Sequence, residues 1–175
     1  EKEMAGLVSY VRGGRLSPEG IQRACTGIRD FQGLLRQFDM GAPHVFATAS
    51  LRNIRNTEEA VAQIREATGV EVDVISGELE AKLGYYGTRL ATNLRDGAVF
   101  DIGGGSTEIL EVRGGEIRKA QSLPIGSLAL FNTCVDGLWP KKKELKKIRT
   151  AVVSALKEAW LPEQRVEKVC GVGGT

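Results

Sequence analysis

The sequence predicts an α/β protein organised around a mixed sheet. Helical periodicities alternate with short β-rich runs through the first half. A strand, a glycine turn and two more strand-like segments begin at residue 97, and another helical periodicity follows them.

Taken in order, residues 17–38 place Ile21, Ala24, Cys25, Ile28, Phe31, Leu34, Leu35 and Phe38 on one helical face. Ser17 is the N-cap and Pro18 the first helical position. "HVFATA" (44–49) is a short strand. Asn56 is expected to cap the next helix, with Glu59 three residues on, Val61, Ile64 and Ala67 inward, and Gly69 ending it. "VEVDVI" (70–75) reads as a strand. Residues 77–92 read as a helix with Leu79, Leu83, Tyr86 and Leu90 on its inner side. "GAVFDI" is the next strand, and "TEILEV" and "EIRKAQSL" form two more around the Gly114–Gly115 turn. From Lys141 to Trp160 a helix turns Leu145, Ile148, Val152, Leu156 and Trp160 inward. Its outer face, "KKKELKKIR", is basic and reads as a solvated surface. Polar and turn residues cluster at "NLRDG" (93–97), where a lobe boundary is expected.

At 175 residues the chain has room for one ordinary domain or two small lobes. A net charge of only +2 gives no reason to expect nucleic acid or an acidic membrane surface as partner. No apolar run reaches the length of a membrane span. Cys25, Cys134 and Cys170 are scattered and never in a CxxC spacing, which predicts reduced, mostly buried thiols in a cytoplasmic protein. The opening at Glu1 and the glycine-rich end, "GVGGT", lead us to expect a fragment.

The chemistry is concentrated in "FDIGGGSTEI". A P-loop would place lysine before Ser106, and a dinucleotide fingerprint would open a helix. Here the glycines lead into a β-rich run. What remains is a hairpin whose turn, Gly103, Gly104 and Gly105, can aim successive backbone N–H groups into one anion-binding concavity. Ser106 and Thr107 could add hydroxyl donors. Asp101, at the strand end, could hold a divalent cation directly or through water. Glycines alone would suit a structural hairpin; the acid before them and Ser-Thr-Glu after them favour a ligand.

"FDIGGGSTEI" resembles the signature of the exopolyphosphatase/guanosine pentaphosphate phosphohydrolase family. "ATASLRNIRN" (47–56), "VISGELEAKLGYYG" (74–87), "LPIGSLAL" (123–130) and "GVGGT" (171–175) agree in order and spacing. The resemblance implies ribonuclease H-like (actin-like ATPase) lobes with mixed sheets flanked by helices. Residues 1–96 would be the C-terminal part of the first lobe and 97–175 the N-terminal part of the second. It implies removal of terminal phosphate from polyphosphate or guanosine pentaphosphate with Mg²⁺ or Mn²⁺. Two-fold association into a homodimer is common in such folds.

Such hydrolysis needs a phosphate clamp, charge neutralisation and a positioned water with a base. Glu80 lies just inside the helix after "VISG", with Gly84 and Gly87 on its face leaving open space, and the family pattern "SGxxEA" puts its base at the same residue. Glu78 points elsewhere and has Lys82 at i+4. Arg52 and Arg55 follow the strand 44–49, where a guanidinium fork suits phosphate oxygens; the family motif favours Arg52. Glu108 either joins Asp101 at a metal through water or points outward. By family similarity Gly173 and Gly174 form a second backbone cradle. His44 has no nearby Ser–Asp partnership.

The match has gaps. No "DxGSNS" phosphate loop precedes "GLVSYVRGGRLSPEG", and the helical extension of longer members is absent. Leu79 stands where an acid is common and Asn53 where aspartate is usual. The missing loop leads us to expect weak or no activity from this segment alone. The competing readings are an actin-like-fold kinase or ATPase and a non-catalytic phosphate-ligand sensor.

Overall fold

The computed structural model describes residues 5–162 and 166–173, in two compact units, Glu1–Ile75 and Ser76–Thr175. Both are mixtures of helix and sheet, as expected. The division falls at Ile75/Ser76 and not near 93–97, because the helix at 77–92 packs on the second unit's sheet.

The first unit opens with a 3-10 turn, Leu7–Tyr10, and a small antiparallel hairpin, β1 (Val11–Arg12) and β2 (Arg15–Leu16). Neither stands out in the sequence, since two-residue strands carry no periodicity. Helix α1 (Pro18–Gln37) starts as expected, with Ser17 Oγ accepting from the Gly20 N–H at 3.3 Å. Strand β3 (Val45–Ala47), the short helix α2 (Ala49–Arg52), helix α3 (Thr57–Thr68) and strand β4 (Val72–Val74) follow, and β3 and β4 pair in parallel. Leu16, Ile21, Cys25, Leu51, Ala60, Ile64 and Val72 form the core. Asn56 does not cap α3 through its side chain. That side chain is buried and bridges to β2, accepting from Leu16 N–H at 2.9 Å and donating to Leu16 C=O at 3.1 Å. Two otherwise orphaned backbone groups outweigh one helix cap.

The second unit runs α4 (Gly77–Thr92), β5 (Gly97–Ile102), β6 (Thr107–Arg113), β7 (Glu116–Leu123), α5 (Ser127–Cys134), α6 (Lys142–Glu158) and β8 (Val169–Gly173). Its sheet has the order β7-β6-β5-β8; β5, β6 and β7 meander antiparallel and β8 adds in parallel to β5. Ala81 and Tyr85 of α4 close over Val99, Leu110 and Val112. The expected inner face of α4 is instead exposed: Leu79, Leu83, Tyr86 and Leu90 all face out, Leu90 at 92%. Ala81, Gly84, Tyr85 and Thr88 turn to the sheet, because small residues let the helix approach closely while Tyr85 spans the core to the Leu94 carbonyl at 3.1 Å.

Helix α5 was not expected, since its two turns are too short to show a period. Helix α6 packs on α5 with Ile148, Val152 and Leu156 half-buried, but Leu145 stays exposed, contrary to expectation. Its buried anchor is Glu144, which accepts from the N–H groups of Lys141 (2.7 Å) and Asp136 (3.2 Å). Cys25 and Cys134 are buried free thiols and Cys170 is half-buried. Among the described residues no helix is long and apolar enough to cross a membrane.

Candidate active site

The glycine stretch closes the β5–β6 hairpin. Its register sets Asp101 directly opposite Glu108, and the next strand sets Ser122 opposite Glu108. Opposed side chains in such a ladder lie on one face with Cβ atoms about 4.5–5.5 Å apart, so like charges there cost stability. Glu108 points into the protein, only 4% exposed, and accepts the Ser122 hydroxyl at 2.7 Å. Burial and then the charge of Glu80 push the Asp101 carboxyl above the ordinary carboxylate range. Burial also raises Glu108. The Ser122 and Ser106 hydroxyls oppose that rise, while Glu80 and Asp101 add to it. Glu80 itself stands half-buried in the first turn of α4, whose N-cap Ser76 accepts the Leu79 N–H at 3.1 Å.

Gly173 makes room for the Asp101 carboxylate, whereas a side chain at Gly84 would only touch it. A methyl group on Gly84, one turn along α4 from Glu80, would sit 3.5 Å from Oδ2. On the other side, a methyl on Gly173 would lie 2.7 Å from Oδ1 and 2.6 Å from the Ile102 carbonyl, and Gly173 also has φ +84. The open space expected beside Glu80 is therefore partly filled by Asp101, whereas Gly87 has nothing within 4 Å.

The turn is held from behind. Gly103 N–H donates to Ser106 C=O at 2.9 Å. The Gly103 and Gly104 carbonyls accept from the Ser127 and Ala129 N–H groups of α5, each at 2.9 Å. Ser127 Oγ also donates to Gly103 C=O at 3.2 Å. The N–H groups of Gly104 and Gly105 donate to no described residue. The two hydroxyls expected to face an anion are committed elsewhere: Thr107 Oγ1 donates to Ile125 C=O at 2.6 Å, and Ser106 is buried and bonded to Glu108.

The second unit thus brings together Glu80, Asp101, Glu108, Gly103, Gly104, Gly105 and Gly173. Gly174 lies outside the described residues. Arg52 belongs to the first unit, at the end of α2, where its Nη1 donates to Ile75 C=O at 3.1 Å. Arg55 lays its side chain against Gly14 and donates its backbone N–H to Gly14 C=O at 2.7 Å. Glu78 pairs with Lys82 at 2.6 Å, and His44 is exposed, 3.9 Å from Asp73. Ser122 carries no signal in the sequence, and Gly126 and Ser127, within "LPIGSLAL", gain their roles only from the fold. Only the strand pairing shows that Ser122 meets Glu108, and only packing shows that Gly126 meets the turn.

Among the described residues no three of His, Cys, Asp and Glu gather closely enough to enclose a metal ion. Asp101 and Glu108 nevertheless fit a hard cation. They are opposed carboxylates, and Mg²⁺ is commonly held by one or two such groups, with water and substrate phosphate completing its shell.

The family model for the Ppx/GppA phosphatase family matches residues 8–172. A solved Aquifex aeolicus Ppx/GppA family member is 27% identical, over 98% of this chain and 56% of its own, with a TM-score of 0.69. A solved exopolyphosphatase-like protein is 25% identical over the same shares, with a TM-score of 0.86. A Cytophaga hutchinsonii exopolyphosphatase, 23% identical over 93% of this chain and 53% of its own, shares the fold with a TM-score of 0.73. The chain spans a little over half the length of these relatives.

Proposed function

The chain belongs to the Ppx/GppA phosphatase family, and from that premise we propose that it supplies part of a metal-dependent phosphoanhydride hydrolase. The substrate class is inorganic polyphosphate or guanosine pentaphosphate, cut at the terminal phosphate. One observation carries the reading: Asp101 and Glu108 oppose each other within the field of Glu80, beside a turn whose Gly104 and Gly105 N–H groups have no acceptor among the described residues. A like-charged cluster costs stability wherever it serves no ligand.

In this mechanism the Gly104 and Gly105 N–H groups hold phosphate oxygens; Arg52, in the first unit, is proposed on its own account as a guanidinium suited to phosphate. Glu80 takes a proton from the attacking water. Asp101 and Glu108 are the residues that would hold a divalent cation, and such a cation would neutralise phosphate charge. Glu108 keeps its orientation because Ser122 and Ser106 donate to it. The cytoplasm, where such anionic substrates and reduced thiols occur together, is the proposed location.

Phosphate release from polyphosphate and from guanosine pentaphosphate tests the reading. It should be measured on the protein that carries this chain, with and without Mg²⁺, beside Glu80→Gln. We expect release to need the cation and the variant to lose about 10²–10⁴-fold, as removal of a general base does. The preferred substrate would name the branch of the family. Tight binding without release would instead make the hairpin the cradle of a phosphate-ligand sensor.

A further inference from the structure

Gly126, the N-cap of α5, has φ −93 and so does not need to be glycine for its own conformation. It needs to be glycine because of what it touches. A methyl group there would fall on the carbonyl of Gly104 and on the Gly104–Gly105 peptide bond, well inside van der Waals contact and against backbone that cannot swing aside. The first turn of α5 therefore lies flush on the glycine turn. Ser127 and Ala129 are the first and third helical residues, whose N–H groups have no partner within their own helix. Here they bind the Gly103 and Gly104 carbonyls.

That contact fixes a direction. In a trans peptide the C=O of one residue and the N–H of the next point opposite ways, and the chain contains no cis bond among its described residues. Drawing the Gly103 and Gly104 carbonyls toward α5 turns the Gly104 and Gly105 N–H groups away from it, side by side. Each carbonyl that accepts from the positive end of a helix also polarises its own peptide, which strengthens the N–H at the other end.

We infer that α5 is a positioning element for phosphate, with Gly126 and the Ser127 N–H as the positioning groups. They touch no ligand and act through Gly104 and Gly105. The inference rests on reading the hairpin as the phosphate site, and it adds how the donors are aimed.

Proline at position 127 provides a clean test. The first helical position accepts proline without helix loss, and Gly126 at ψ 162 is already in the extended region a following proline requires. Ser127→Pro thus deletes the N–H to Gly103, while Ser127→Ala deletes only the hydroxyl. Inorganic phosphate is titrated into each form of the chain while the Gly104 and Gly105 amides are followed by NMR. In Ser127→Pro we expect the two amide signals to move before phosphate is added. Phosphate affinity should fall about ten- to a hundredfold, the loss of a bond to a charged group, with little change in melting temperature. Ser127→Ala, which keeps the N–H and loses only the hydroxyl bond to the same carbonyl, should weaken phosphate less than Ser127→Pro does. Gly126→Ala, which pushes the turn without deleting a donor, should weaken phosphate in the same direction and serves if the proline variant does not fold. A Ser127→Pro protein that binds phosphate like the wild type, with unshifted amides, overturns the inference alone. A wild type whose two amides ignore phosphate overturns both the inference and the phosphate reading of the hairpin.

Discussion

Asp101 shows most directly what the site costs. Its carboxylate faces Glu108 across the hairpin and lies in the field of Glu80, and no salt bridge joins it to another described residue. A carboxyl held above its ordinary range in the folded protein binds its proton more tightly there than in the unfolded chain. The charged form therefore costs stability above the folded-state pKa, and the cost disappears as pH falls through that value toward the unfolded one. Asp101→Asn should accordingly melt higher than the wild type near neutral pH, with the advantage shrinking in acid. Adding Mg²⁺ should raise the wild-type melting temperature and the variant's much less, because only a ligand bound by the folded form stabilises it. Calorimetry across pH, with and without the cation, checks both; an advantage that grows in acid would contradict the argument.

Helix α4 carries the corresponding trade at the scale of an element. Glycine in a helix interior costs about 1 kcal/mol against alanine, and Gly84 is tolerated where Asp101 closes over it. Gly84→Ala should gain about 0.5–1 kcal/mol, a few degrees in melting temperature. It should also lower phosphate release, because the methyl lies 3.5 Å from the carboxylate and narrows the approach to it. A variant that is both more stable and fully active would remove Gly84 from the site. The same helix shows where the sequence was legible. Its span and the place of Glu80 just inside it were readable from local chemistry, as was the β5–β6 hairpin from its strand–glycine–strand pattern, whereas the Ser76 cap appears only in the structure. Its buried face was not readable either. Leu79, Leu83, Tyr86 and Leu90 make the more apolar stripe, yet close packing on the sheet selects the smaller side chains opposite. The Ser122–Glu108 bond and the seat of Gly126 depend on register and tertiary approach, which local patterns do not encode.

For the whole molecule, the division at Ile75/Ser76 has an energetic meaning, because each unit closes its own core: Leu16, Ile21, Cys25 and Ile64 in one, Tyr85, Val99, Leu110 and Val112 in the other. A chain starting at Ser76 should fold cooperatively and keep its sheet, whereas one starting at residue 97 loses α4, hence Ala81 and Tyr85, and should not. Far-ultraviolet circular dichroism and urea titration of the two truncations separate these outcomes. The acids proposed for catalysis and cation binding all lie in that second unit, and so do the glycines near them. At Gly126 and Gly173 the protein uses space from which atoms are missing. An alanine scan, which finds important positions by taking groups away, adds a group at both. Its results there measure intrusion rather than loss, and ranking them beside Glu80 or Asp101 on one scale would mix two different quantities.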